Sequence, residues 1–296
     1  MENILTMEQV TPRLQIVADY ACHIGENPLW HPLERKIYWC DIATGRLFRY
    51  DPISGEHQKC YEGDVIGGFT IQSDGSLLLF MAEGAIRRWR SGAVTTIVDG
   101  IEEECGSRFN DVIADPYGRV FCGTMPTGSR LGRLYRLDRD GTLTVAAEGI
   151  GCSNGLAFSY DRTRLYYTDS NAREIYLFDY DERSGMLSNQ RIFAATSESD
   201  GVPDGATLDA SGCLWSAQWD GGCVIRYTAD GEEERRVGFP VRKVSSLTFG
   251  GSDYCDIYVT SAGGDNKTNE GAFAGCLFRL NLGIRGVPEY FSRIGQ

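Results

Sequence analysis

Residues 154–169 read NGLAFSYDRTRLYYTD. A polar residue and a glycine lead into the apolar run Leu156-Ala157-Phe158, polar residues turn the chain, and Leu165-Tyr166-Tyr167 returns it. Short apolar runs without a helical stripe read as a β-hairpin. Five other stretches repeat the pattern: ENPLWHPLERKIYWCD, GFTIQSDGSLLLFMA, NDVIADPYGRVFCGT, DGATLDASGCLWSAQ and SLTFGGSDYCDIYVTS. Aligned on Glu26, Gly68, Asn110, Asn154, Asp204 and Ser246, the units step by 42, 42, 44, 50 and 42 residues. Repeats of that length, built from several short strands, are a signature of propeller blades.

The unit headed by Asn110 reads as four strands: NDVIADP, RVFCGTM, GRLYRLD and TLTVAAE. Tight turns are marked at Asp74-Gly75, Asp140-Gly141, Ser211-Gly212 and Asp230-Gly231, where glycine supplies positive φ. A four-stranded sheet cannot bury both faces alone, so the blades must stack around an axis. The fold expected is all-β, a six-bladed β-propeller forming a single domain over residues 1–296. RLQIVADY (13–20) alternates apolar and polar residues ahead of the first unit. It is expected to close the ring as the outer strand of the last blade, so that deleting residues 1–20 unfolds the protein.

Forty-one Asp and Glu against 29 Lys and Arg give a net charge of -12, which argues against a nucleic-acid partner. No apolar run is long enough to span a bilayer, so no membrane association is expected. The N-terminal stretch lacks a basic region followed by an apolar one, and no secretory signal is expected. A cytoplasmic location follows, with the ten cysteines as thiols and the sequon Asn266-Lys267-Thr268 unused. No C-x-x-C pair is present to suggest a zinc ribbon. Nothing in the sequence sets the oligomeric state.

Gly151-Cys152-Ser153-Asn154-Gly155 fits the G-x-S-x-G pattern of a nucleophile elbow. That motif needs a following helix and a partner histidine; here a strand follows, and His23, His31 and His57 all precede the serine. The residue of interest is Asn154. In a closed ring, Glu26, Gly68, Asn110, Asn154, Asp204 and Ser246 (or Ser245) surround one mouth of the channel. The ends of the second strands, Asp41, Ala82, Thr124, Asp169, Gln218 and Ser261, are expected to form a second tier there. Converging carboxylates are costly without a cation, and oxygen donors suit a hard divalent ion such as calcium, magnesium or manganese. No histidine falls on either tier, which disfavours a typical catalytic zinc site.

The chain resembles the SMP-30/gluconolactonase/luciferin-regenerating-enzyme family, also called regucalcin-like lactonases. The resemblance rests on GENPLWHP (25–32), SRFNDVIADPYGRVFCGTM (107–125), SNGLAFSYD (153–161), VPDGATLDASGCLWSA (202–217) and FGGSDYCDIYVTSA (249–262). It implies a six-bladed propeller, one divalent metal at the channel mouth, and hydrolysis of sugar lactones. It places metal ligands at Glu26, Asn154 and Asp204 and substrate contacts at Arg108 and Asn110. Calcium is the first choice of ion, with zinc, manganese and magnesium as alternatives, and a small-molecule lactone is the partner. After Gly123-Thr124-Met125, vertebrate members carry acidic residues and a longer loop, whereas this chain continues PTGSRLGRLYR without a carboxylate. Substrate preference is therefore open.

The implied chemistry is polarisation of the lactone carbonyl and attack by water, with Asp204 as catalytic base and water activated by the ion itself as the rival. Arg108 offers planar donors; its competing role is a surface ion pair with Glu102-Glu103-Glu104. Asp111 and Asp169 are candidates for support behind the ligands or for strand ends, and Trp30, Trp215 and Trp219 for packing. Two other readings remain: an esterase for a non-sugar lactone or phosphotriester, and a non-enzymatic calcium-binding propeller.

Overall fold

A computed structural model describes residues 14–296. Six four-stranded antiparallel sheets succeed one another, giving the all-β six-bladed propeller that the repeats predict. The inner strands, Gly25–His31, Ile66–Ile71, Phe109–Ala114, Ser153–Phe158, Val202–Leu208 and Val244–Gly250, are almost wholly buried. Outer strands such as His57–Glu62 and Glu233–Gly238 are mostly exposed and carry the charges. In the unit headed by Asn110 the strands are Phe109–Ala114, Val120–Thr124, Gly132–Leu137 and Leu143–Ile150. Gly75, Gly141, Gly212 and Gly231 have φ from 79° to 91°, the turn conformation read from their dipeptides.

The blades are held by what lies between them. Buried apolar side chains form six clusters, each drawn chiefly from two neighbouring blades. Trp39 and Phe48 of the first blade pack with Tyr258 and Leu277 of the sixth, and Trp215 of the fifth packs with Val244 and Phe249 of the sixth. Full burial of an aromatic side chain contributes about 2–3 kcal/mol, which is why both faces of each sheet need a neighbour. Gln15–Asp19 pairs antiparallel with Cys276–Asn281 as the outermost strand of the sixth sheet. Arg13, the first residue of the stretch read as that strand, lies outside the described residues, as do residues 1–12.

At the mouth, all six inner strands slip register against their second strands. The irregularities fall between Glu26 and Leu29, Ile66 and Gly68, Phe109 and Val112, Asn154 and Leu156, Pro203 and Ala206, and Val244 and Ser246. Bulges of this kind re-aim side chains, and here they sit at the polar head of each unit.

At the opposite face the last residues cross the ring. Gly286 bridges to Asp209 of the fifth blade, Ser292 to Gln72 of the second, and the N–H of Arg293 donates to Gly118 O of the third at 2.8 Å. Glu289 and Tyr290 line the narrow central channel at that end. Among the described residues no helix is long and apolar enough to cross a membrane. All ten cysteines are free.

Candidate metal centre

Four of the six aligned heads, Glu26, Asn110, Asn154 and Asp204, line one cavity of about 400 Å³ at the channel mouth. Gly68 has no side chain to contribute, and no space for one: a Cβ there would lie 2.8 Å from Asn110 O. Ser246 faces the narrower channel below, while Ser245 turns away to donate to Gly25 O at 2.5 Å. Ser246 is therefore the sixth head.

The second strands do end beside the polar heads, with Asp41 paired to Gly25 and Asp169 to Ser153, but none of the six second-tier side chains lines the cavity. Asp41 accepts from Ile24 N, Thr44 Oγ1 and Arg46 Nη2. Asp169 accepts from the N–H groups of Gly151, Cys152 and Asn171. Both carboxylates hold loop backbone, and Ser261 donates to Cys276 O. The cavity is instead lined by the next residue along, Met125, Ser170 and Trp219, because neighbouring positions at a strand end face opposite ways. Trp30 and Trp215 belong to the core, but Trp219 is part of the cavity wall.

Two residues before each polar head, a side chain again faces the cavity: Ile24, Arg108, Cys152 and Val202. Period-two alternation accounts for all four, and extending the aligned heads upstream by two would have found them. Arg108 makes no ion pair with residues 102–104. Its Nη1 donates to Phe109 O at 2.9 Å and to Asn110 Oδ1. Arg130 takes the acidic run instead, donating to Glu104 Oε2 and to Glu103 O. Ser153 is fully buried and accepts from Tyr167 O–H at 2.8 Å, so the elbow serine is a packing hydroxyl.

The electrostatics are those of crowded acids. Glu26, Asp111 and Asp204 are buried. Burial pushes Glu26 well above the ordinary carboxylate range, and the charges of Asp204 and Asp111 push it further. Asp204 is raised well above its ordinary value by burial first and then by Asp111, with Gly205 N–H and Arg108 acting the other way. Asp111 rises to about 6 through burial, although Gly155 N–H donates to its Oδ2 at 2.7 Å. Burial lowers the Arg108 guanidinium, against the pull of Glu26 and Asp111.

Among the described residues no three His, Cys, Asp or Glu side chains form a metal-holding group. The donor set here is two carboxylates and a carboxamide: Glu26, Asp204 and Asn154. Hard oxygens beside uncompensated buried negative charge fit a divalent cation.

Residues 24–263 match the sequence profile described as the SMP-30/Gluconolactonase/LRE-like region. The chain is 47% identical to pentonolactonase XacC of Haloferax volcanii, covering 94% of this chain and 97% of that one. It is 33% identical to 6-deoxy-6-sulfogluconolactonase of Pseudomonas putida, over 90% and 94%. A solved structure described as a calcium-binding protein, regucalcin, from Agrobacterium tumefaciens superposes with a TM-score of 0.87 at 25% identity, covering 94% and 97%. The chain belongs to the SMP-30/gluconolactonase/LRE-like family.

Proposed function

We propose that this protein is a metal-dependent hydrolase that opens sugar lactones. The observation carrying this reading is the meeting of Glu26, Asn154 and Asp204 with Arg108 and Asn110 in one cavity. Relatives named as a pentonolactonase and a sulfogluconolactonase support the substrate class, and the former favours a five-carbon sugar acid lactone. The free cysteines fit a reducing compartment.

Glu26, Asn154 and Asp204 hold the ion in this reading, with calcium first and zinc, manganese or magnesium as alternatives. When bound, such an ion supplies a Lewis acid for the carbonyl and acidifies water. Arg108 and Asn110 orient the ring hydroxyls, the first through donors alone and the second through the remaining lone pair of Oδ1, since both Nδ2 protons go to Ser153 O and Asn154 Oδ1. Asp204 takes the proton of the attacking water, since a carboxylate beside the ion also reaches the water that attacks. The water oxygen joins the carbonyl carbon, the ring C–O bond breaks, the ring oxygen takes a proton, and an open-chain hydroxy acid leaves.

Acid release from pentono- and hexonolactones, followed with a pH indicator, tests the reading. Activity lost on chelation and restored by a divalent ion is the expected result. A metal-replete protein that opens no aldonolactone, or one that prefers phosphotriesters, overturns it.

A further inference from the structure

An asparagine can ligate a cation only if its oxygen faces the ion, and the two ends of a carboxamide have nearly the same shape. The partners of Asn154 settle which end is which. Arg108 has donors only, so its contact fixes Asn110 Oδ1 toward the guanidinium. The other end of that amide, Asn110 Nδ2, donates to Ser153 O at 2.7 Å and to Asn154 Oδ1 at 2.5 Å. On the far side of Asn154, Nδ2 lies 2.8 Å from Ser170 Oγ. Ser170 has one hydroxyl proton, and its Oγ lies 2.6 Å from Pro203 O, which can only accept. The hydroxyl therefore receives the N–H of Asn154. Arg108, Asn110, Asn154, Ser170 and the Pro203 carbonyl form one directed chain, donor-only at its start and acceptor-only at its end.

We infer that Ser170 is a positioning residue: it holds the Asn154 amide with its oxygen toward the ion and ties it to the backbone just ahead of Asp204. The inference rests on the metal-site reading above. Ser170 is buried and lines the cavity. Its own backbone N–H donates to Cys152 O at 3.0 Å, a bond that removal of the hydroxyl leaves in place.

The test is calcium affinity, by calorimetric titration of full-length protein freed of metal by chelation, with the melting of each chelated variant recorded as a check on folding. Ser170→Ala should weaken calcium binding about 10- to 100-fold, the usual effect of losing a group that orients a ligand. Ser170→Thr, which keeps the hydroxyl, should restore binding to within about threefold. In an Asn154→Asp background, where both ends of the side chain are oxygen, Ser170→Ala should make no difference. A structural role alone would weaken both backgrounds alike. Unchanged affinity in Ser170→Ala, equal losses in the two backgrounds, or a wild type that binds no divalent ion would each overturn the inference. A wild type that binds calcium but opens no lactone would sink the proposed function and leave Ser170's role to the same comparison.

Discussion

The N–H of Gly155 donates to Asp111 Oδ2 at 2.7 Å, joining the inner strand of the fourth blade to that of the third beside the candidate metal centre. Gly155 sits at φ 37°, where a Cβ would meet Thr168 Oγ1 at 2.4 Å and Asp204 O at 2.5 Å, so the strands can approach this closely only at a glycine. Asp111 is thus locked in place while its charge raises both Glu26 and Asp204. Asp111→Asn keeps an acceptor for Gly155 and removes the charge. With less repulsion, Asp204 ionises at lower pH, and the acid limb of the kcat/KM profile should move to lower pH with some loss of rate. An acid limb that stays put or moves up would exclude Asp204 as the base.

Asp204→Ala and Asn154→Ala should each abolish metal-dependent lactone opening while leaving the circular dichroism of a β protein intact. Asp204→Asn carries a second expectation. Because it relieves repulsion among buried acids, the chelated variant should melt higher than chelated wild type, by about 2–4 °C per ~1 kcal/mol relieved. Calcium should then stabilise the variant less than wild type. Wild-type turnover in either alanine variant would displace the site.

Arg130 fastens the loop that departs from the vertebrate pattern. It donates to Glu104, which is fully buried and otherwise receives Tyr135 O–H at 2.7 Å. Arg130→Ala leaves that carboxylate without its cation and should cost about 2 kcal/mol or more in urea unfolding. The loop begins at Met125 in the cavity wall, so KM should rise several-fold with kcat little changed. A loss confined to kcat would show that the loop acts on chemistry and not on substrate binding.

Glu289, under the channel, gives a pH signature separate from the candidate metal centre. Burial raises it from 4.5 to about 7, with Thr207 acting the other way. The folded protein then keeps a proton that the unfolded chain has released, so this contribution to stability is complete below the unfolded pKa and fades as pH rises through the folded one. Its size is at most about 3 kcal/mol, since Glu289 is half-buried and water screens part of it. Glu289→Gln should flatten the fall in melting temperature between about pH 5 and about pH 8. An unchanged slope would place the titrating group elsewhere.

The repeat of apolar runs was enough to give the blades, because each unit carries the same local signals for strand, turn and strand. The four polar heads were legible for the same reason: equivalent positions in a closed ring face one point. What the repeat could not give was orientation within a residue or two. Asp169 and Ser170 differ by one position, yet Asp169 caps backbone while Ser170 lines the cavity. Adjacent positions at a strand end face opposite ways, so an alignment uncertain by one residue exchanges the two roles. Partner choice was also hidden, since the acidic run at 102–104 pairs with Arg130 from a later loop and not with the nearby Arg108.

The segment around Glu289 and Tyr290 lines the channel at the end away from the cavity that holds Asn154. If that cavity opens lactones as proposed, the arriving lactone and the departing acid share it. The acid leaves with a fresh negative charge, past a guanidinium that attracts it, so the released sugar acid is a natural competitor for the next lactone.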